Sequence, residues 1–351
     1  MKKNLFRNIK LFAVLSGCLP LFFSCHGVIF DTIRDEVKLA DAKISGDIQN
    51  IIRYQDDIFV STGKISYRSV SEELADKKVG LSSFPSPSGL IYSLAADSSN
   101  LYALSVTIEE DDDGYNVGTK RTLWSYNGTE WKSIWTKPYT SKYAAILFCT
   151  NSPKKENRHA YFRYGSTVYE LTGEELGETG MSIGADDNST VPTESTKSCA
   201  ILGSTVYFSS SNAMTSNETP VTDSTYIYRS KGDNIYYKTA DSDWASSDLG
   251  CDTIYSIAIT KDYLLAGTGS GIVHTTLDGG VPSSGTADFS TNADSTLSSY
   301  YEVPYLLVLD SSLTELQASI FASCVTSSTS ASINNVGLWS YFATTGEWNR
   351  E

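Results

Sequence analysis

The chain is patterned in short apolar runs broken by polar turns. Ile91-Tyr92-Ser93-Leu94-Ala95 leads through Asp97-Ser98-Ser99-Asn100 to Leu101-Tyr102-Ala103-Leu104. Ile254-Tyr255-Ser256-Ile257-Ala258 followed by Leu264-Leu265-Ala266-Gly267 repeats the arrangement. Runs this short, rich in β-branched and aromatic residues and bounded by turn formers, predict strands. A second pair also matches. Leu123-Trp124-Ser125-Tyr126-Asn127-Gly128-Thr129-Glu130-Trp131 returns as Leu338-Trp339-Ser340-Tyr341, running on to Gly346-Glu347-Trp348. Weaker copies begin near Ile51, Ala145, Ala200 and Leu306, which puts starts at 51, 91, 145, 200, 255 and 306.

Recurrence at about 40–55 residues, with several short strands per unit, predicts an all-β fold, a β-propeller. A four-stranded blade cannot bury both faces alone, so blades stack face to face around an axis. One unit reads as inner strand A (Ile91 to Ala95), B (Leu101 to Val106), C (Thr122 to Tyr126) and D (Glu130 to Trp135). Tyr and Trp supply flat packing between blades. Six blades are expected, or seven if the first segment hides a poor copy. A β-sandwich accounts for the strands but not for two motifs recurring at one spacing. The last copy stops at Trp348-Asn349-Arg350-Glu351, and Val37 to Ile44 is expected to close the ring as a borrowed strand, which removes an open edge. A short amphipathic helix is the alternative there, since Ile33, Val37 and Ala40 share helical spacing.

In such a ring the B–C and D–A connections leave one face, and the A–B and C–D connections the other. Thr107 to Lys120, Ser211 to Ser224 and Thr326 to Asn335 read as long B–C loops. Ile183 to Lys197 and Ser283 to Pro304 fall at D–A junctions, and only Thr150 to Arg158 is expected on the opposite face. Long loops gathered on one side of a rigid scaffold are where binding usually sits.

The N-terminus departs from this pattern. Lys2, Lys3, Arg7 and Lys10 form a basic leader, and Leu11 to Ser24 carries no charge. This is the layout of an export signal, too short to span a bilayer stably. Two cysteines compete as the lipidated residue of a lipoprotein. Cys18 follows the better local box, Leu15-Ser16-Gly17, but using it leaves Leu19-Pro20-Leu21-Phe22-Phe23 exposed on the mature chain. Cys25, after Phe22-Phe23-Ser24, uses the whole apolar run and is preferred. The expected organisation is a signal peptide at 1–24, a lipid tether with the closing strand at 25–45, and a propeller at 46–351. The anchor is the membrane through acyl chains, in the cell envelope and preferentially the outer membrane, with several chains needed for firm attachment.

Formal net charge is −14, and it becomes more negative once the leader is removed. Such a surface disfavours nucleic acid, which needs a basic patch to neutralise phosphate. Catalytic signatures are missing: there is no Gly-x-Ser-x-Gly, phosphate loop or Cys-x-x-Cys. His26, His159 and His274 have no metal-ligand spacing, so no catalytic residue, metal or cofactor is assigned. Glu109-Glu110-Asp111-Asp112-Asp113-Gly114 is the densest acidic run; contiguous carboxylates read as a solvated tip rather than a Ca²⁺ loop, as does Asp186-Asp187-Asn188. Thr275-Thr276-Leu277-Asp278-Gly279-Gly280 resembles the Asp-box turn of sialidase-like propellers, a structural turn away from their catalytic centres. Cys149, Cys199, Cys251 and Cys324 fall in or beside inner strands and read as unpaired core residues, although an exported protein can pair them. The candidate ligand-binding residues are those of the loop face: Asp111, Asp112, Asp113, Tyr115 and Asn217.

The Phe22-Phe23-Ser24-Cys25 box, the acidic Tyr/Ser-rich body and the repeated Leu-Trp-Ser-Tyr…Glu-Trp units resemble treponemal β-propeller outer-membrane lipoproteins. That resemblance implies a surface-exposed adhesin that binds host matrix protein such as fibronectin, without locating the binding residues. A periplasmic scaffold or assembly lipoprotein with no host ligand is the alternative.

Overall fold

The structure is a computed structural model. It describes residues 44, 48–55, 57–69, 81–140, 143–150, 154–184, 199–208, 220–289, 301–310, 312–314, 320–326, 337–342 and 347–350. The chain divides at residue 41, and the unit from Ala42 to Glu351 is a seven-bladed β-propeller of small sheets arranged in a ring.

Blade 1 is β1 (Asn50–Tyr54), β2 (Asp57–Ser61), β3 (Ile65–Ser69) and β4 (Ser82–Phe84). Blade 2 is β5 (Leu90–Ala96), β6 (Leu101–Glu110), β7 (Asn116–Tyr126) and β8 (Trp131–Pro138). Blade 3 is β9 (Ala145–Cys149), β10 (Ala160–Tyr164), β11 (Thr167–Thr172) and β12 (Glu175–Glu178). Blade 4 has β13 (Ser182–Ile183), β14 (Cys199–Leu202) and β15 (Thr205–Phe208), with β13 parallel to β15. Blade 5 is β16 (Pro220–Thr222), β17 (Tyr226–Lys231), β18 (Asn234–Thr239) and β19 (Ala245–Asp248). Blade 6 is β20 (Ile254–Ile259), β21 (Tyr263–Thr268), β22 (Gly271–Asp278), β23 (Val281–Pro282) and β24 (Ala287–Asp288). Blade 7 is β25 (Tyr301–Val308), β26 (Ile320–Thr326), β27 (Gly337–Phe342) and β28 (Glu347–Arg350).

The two inner strands of a blade are covered on both faces, so their sequences are continuous apolar runs rather than alternating ones. Leu101 to Val106 of β6 is buried at every position, as are Leu264 to Thr268 of β21. Outer strands such as β8 and β19 are mostly exposed. Inter-blade contact is close enough to select small side chains. A Cβ at Gly267 would lie 2.6 Å from the Val303 carbonyl oxygen of blade 7 and 2.5 Å from Ser256 Oγ. Ser256 Oγ donates to that same Val303 oxygen at 2.7 Å, and Ser93 Oγ donates to Leu147 O at 2.7 Å between blades 2 and 3.

Blades 7 and 1 meet through one apolar cluster: Ile48, Ile51, Ile58 and Val60 against Tyr305, Leu309, Phe321 and Leu338. The Ile51 N–H donates to Tyr305 Oη at 3.3 Å, and the Arg68 guanidinium lies over the Phe321 ring. Blade 7 takes four strands from residues 301–350. The expected closing strand, Val37 to Ile44, falls outside the described residues except for Ile44, which is buried in this same cluster.

The count resolves to seven, and the extra blade lies where the repeat spacing of 55 residues between 200 and 255 was read as one unit. That interval holds the β14–β15 pair of blade 4 and the whole of blade 5. Ser211 to Ser224 is therefore not a B–C loop: it leads between blades, and its end, Pro220–Thr222, is the inner strand of blade 5. Thr107 to Lys120 is not a loop either, because β6 and β7 continue pairing through it. Pro304 likewise belongs to β25 rather than to a connection.

Candidate functional site

The paired extension of β6 and β7 forms an arm on blade 2. Burial ends at Val106, but pairing continues through Thr107↔Lys120, Ile108↔Gly118, Glu109↔Val117 and Glu110↔Asn116, with a bulge between Thr107 and Ile108. The tip closes on itself. Asp111 N–H donates to Tyr115 O at 2.9 Å, and Gly114 N–H to Asp111 O at 3.0 Å, with Gly114 at φ +83°. Asp111 Oδ1 accepts the N–H groups of Asp113 (3.1 Å) and Tyr115 (2.8 Å). This carboxylate is a turn cap. Asp112 and Asp113 stand exposed beside it, and among the described residues no group of three His, Cys, Asp or Glu is placed to hold a metal.

Between its carboxylates the arm carries apolar side chains that nothing covers. Tyr115 is 70% exposed and Ile108 45%, with Val117 also exposed. The base, by contrast, is pinned. Tyr139 N–H donates to Thr119 O at 2.9 Å, and the Tyr139 ring lies 4.3 Å from the Arg121 guanidinium. Arg121 is buried; Nη1 donates to Tyr143 O at 2.7 Å and Nη2 to Thr140 O at 2.9 Å. A guanidinium holding two carbonyls ties the arm's root to the chain leading into blade 3. The arm thus joins a rigid base to a solvated, acidic and partly apolar end.

Asp111, Asp112, Asp113 and Tyr115 are brought together at this tip. Asn217, Cys25 and Cys18 lie outside the described residues. The segments 185–198, 209–219, 290–300 and 327–336 join strand ends on the same face as the arm. The opposite face is less bare than expected. Besides Thr150 to Arg158, the long β3–β4 and β25–β26 connections leave from it. The described ends of the 150–158 connection are tied down: Thr150 Oγ1 donates to Asn157 O at 2.9 Å, and Arg158 Nη1 donates to Gln55 O of blade 1 at 2.6 Å.

That opposite face also carries a repeated pin which the sequence reading missed. Asp97 Oδ1 accepts Ser99 and Asn100 N–H at 2.6 Å each, and Asp97 Oδ2 accepts the buried Tyr102 hydroxyl at 2.6 Å. Tyr102 Oη in turn accepts Gly173 N–H from the next blade at 2.8 Å. Blade 5 repeats the Asp turn with a different inter-blade partner: Asp223 Oδ1 accepts Thr225 and Tyr226 N–H, and the single Tyr228 hydroxyl proton is placed to be donated to Asp223 Oδ2 (3.0 Å) or to Gly280 O of blade 6 (2.8 Å). Burial first, then the neighbouring carboxylate, pushes both phenols above their usual range. The signal was present in the sequence: Asp97-Ser98-Ser99-Asn100-Leu101-Tyr102 and Asp223-Ser224-Thr225-Tyr226-Ile227-Tyr228 share Asp and Tyr at one spacing. The Asp-box-like segment ends in this structural contact, since Gly280 is the residue that meets Tyr228.

Inner strands of all seven blades line a central channel of about 590 Å³. Cys149 and Cys199 are in its wall, and no disulfide joins the four described cysteines. Desolvation pushes the Cys149 thiol up to about 11 and Cys199 well above its ordinary value. The two described histidines are structural: His159 pairs with Glu170 at 2.8 Å on the surface, and His274 stacks on Tyr263 at 4.7 Å.

No family model and no curated protein sequence matches the chain. Among solved structures, the computationally designed protein Ika8 is 10% identical over 86% of this chain and 99% of its own, with a TM-score of 0.45. Hsv2 of Kluyveromyces lactis is 11% identical over 82% of this chain and 76% of its own, with a TM-score of 0.35. Hsv2 of Kluyveromyces marxianus is 10% identical over 87% and 96%, with a TM-score of 0.44. Similarities this distant say nothing about function.

Proposed function

We propose that the protein is a membrane-anchored bacterial lipoprotein, lipidated at Cys25, whose propeller is a protein-binding module. The reading extends to a surface adhesin for host extracellular matrix, in line with the resemblance to treponemal propeller lipoproteins and with fibronectin as the first ligand to test. The arm of blade 2 carries this reading. Exposed aromatic and aliphatic side chains held on a rigid base lose little conformational freedom on binding, and aromatic residues are enriched where interfaces are tightest. The five carboxylates from Glu109 to Asp113 favour a basic partner surface, chiefly by speeding encounter.

The test measures binding of the full-length protein to immobilised fibronectin, comparing wild type with an Ile108→Ser, Tyr115→Ala, Val117→Ser variant. A loss of at least about tenfold with unchanged melting supports the arm, since each buried apolar anchor contributes on the order of 1 kcal/mol or more. Equal binding by the two proteins refutes it. Protease treatment of intact cells tests display. Removal of the protein without lysis supports the adhesin, whereas complete protection favours the periplasmic scaffold.

A further inference from the structure

We infer that the open edge of β6 on the arm takes up an extended, basic segment of a partner protein as an added β-strand. The inference rests on the proposed protein-binding role of the arm and states how that binding is made. Val106 is the last β6 residue paired with β5, through Leu90. Gly89, at φ +93°, leaves the extended line of β5. From Thr107 to Glu110, β6 therefore pairs with β7 alone among the described residues. The other edge of the arm is closed at its root, where Lys120 pairs with Pro138 and Tyr139 N–H donates to Thr119 O at 2.9 Å.

The ladder fixes where the free backbone groups point. Asp111 N–H donates to Tyr115 O at 2.9 Å, so that pair is of the hydrogen-bonded kind. Antiparallel pairs alternate, which makes Glu109↔Val117 hydrogen-bonded and leaves Glu110↔Asn116 and Ile108↔Gly118 as the pairs that are not. The N–H and C=O of Ile108 and of Glu110 thus turn away from β7, into the open edge. Such a row is a template for another strand, with main-chain bonds giving affinity and side chains giving selectivity. Charge selects the occupant. Among the described residues, none of the five carboxylates from Glu109 to Asp113 belongs to an ion pair. A second copy of the arm, paired antiparallel about its centre, would set Glu109 opposite Glu109, and like charges directly opposite destabilise a sheet. Lysine or arginine on the added strand gains from the same carboxylates, and exposed Ile108 offers an apolar neighbour between them.

The probe is a peptide of alternating lysine and valine, about six residues long, the length of an ordinary strand. Its control has the same side chains and charge but a fully N-methylated backbone, which has no N–H to donate. Binding of each to the full-length protein is measured by fluorescence anisotropy, and the complex by residue-resolved hydrogen exchange. The methylated peptide is expected to bind at least about tenfold more weakly, the loss of two neutral hydrogen bonds. The Ile108 and Glu110 amides are expected to exchange at least about tenfold more slowly in the complex with the unmodified peptide. Glu110→Pro removes an edge N–H without breaking a ladder bond, and is expected to weaken the peptide at least about fivefold relative to Glu110→Ala, which removes the same charge. The two peptides decide on the wild-type protein, whatever the stability of the variant. Absence of binding, equal binding of both peptides, or binding that leaves the Ile108 and Glu110 amides unprotected overturns the inference. So does a dimer of the protein that Glu110→Pro dissolves, since the occupant is then a second copy. If fibronectin binding depends on Ile108, Tyr115 and Val117 but is untouched by Glu110→Pro, strand addition fails while the proposed function stands.

Discussion

Tyr102→Phe tests the pin between blades more sharply than any other single change. The hydroxyl is fully buried, donates to Asp97 Oδ2 at 2.6 Å and accepts Gly173 N–H at 2.8 Å from blade 3. Removing one oxygen therefore breaks two hydrogen bonds and leaves the ring in place. A hydrogen bond to a charged acceptor contributes about 1.5–3 kcal/mol and a neutral one about 1 kcal/mol. Water reaches the rim of this turn, so the two together are expected to destabilise the fold by about 2–3 kcal/mol rather than by the full sum. Urea unfolding followed by tryptophan fluorescence gives the value directly, provided the slope is unchanged. Asp97→Asn combined with Tyr102→Phe in a double-mutant cycle should return a coupling of at least about 1 kcal/mol, as expected for residues in direct contact. Tyr228→Phe in blade 5 should also destabilise, but by less, since its one hydroxyl proton is shared between Asp223 Oδ2 and the Gly280 carbonyl. A loss under about 0.5 kcal/mol at both positions, within the range of an ordinary surface substitution, refutes the pin.

Three further outcomes are expected. Gly267→Ala should cost about 1–3 kcal/mol by overpacking, because its new Cβ meets the Val303 carbonyl, and a melting curve identical to wild type contradicts that contact. Tyr161, buried and close to Glu170, has its phenol raised to about 12 from 10.0. The unfolded chain gives up this proton first, so its contribution is complete below pH 10 and is lost as pH rises towards about 12; Tyr161→Phe should flatten that alkaline loss in stability-versus-pH curves. Finally, Cys149, Cys199, Cys251 and Cys324 should resist alkylation at neutral pH in the folded protein and react fully in denaturant, because burial raises all four thiols; rapid native labelling of Cys149 or Cys199 contradicts their burial.

Much of the ring was legible because inner strands are buried on both faces, and burial is what an apolar run records. Ile91 to Ala95 and Leu101 to Val106 were found for this reason, and both lie in the cores of blade 2. The arm was misread for the complementary reason. From Thr107 onward the strands still exchange backbone hydrogen bonds, but the side chains face water, and a hydrophobic pattern does not report pairing without burial. The alternative signal there was Asp113-Gly114, a turn pair set between β-branched residues. Blade 5 was hidden because its inner strand is only Pro220–Thr222 and begins with a proline, a weak strand signal on both counts. The Asp-to-Tyr pin was visible as a spacing, but its meaning depends on Gly173 and Gly280, which are distant in sequence. Tyr115, Asp111, Asp112 and Asp113 stand together at a hairpin end, where the pattern predicted a loop.

The central claim is that the propeller binds protein through the face that bears the arm. Hydrogen exchange of the full-length protein, with and without fibronectin, reads that face directly. Protection concentrated on residues 107–120 and the adjoining 136–140 is the expected result. Protection confined to the turns at 97–100, 223–225 and 154–158 on the opposite face, or no protection at saturating ligand, contradicts the account.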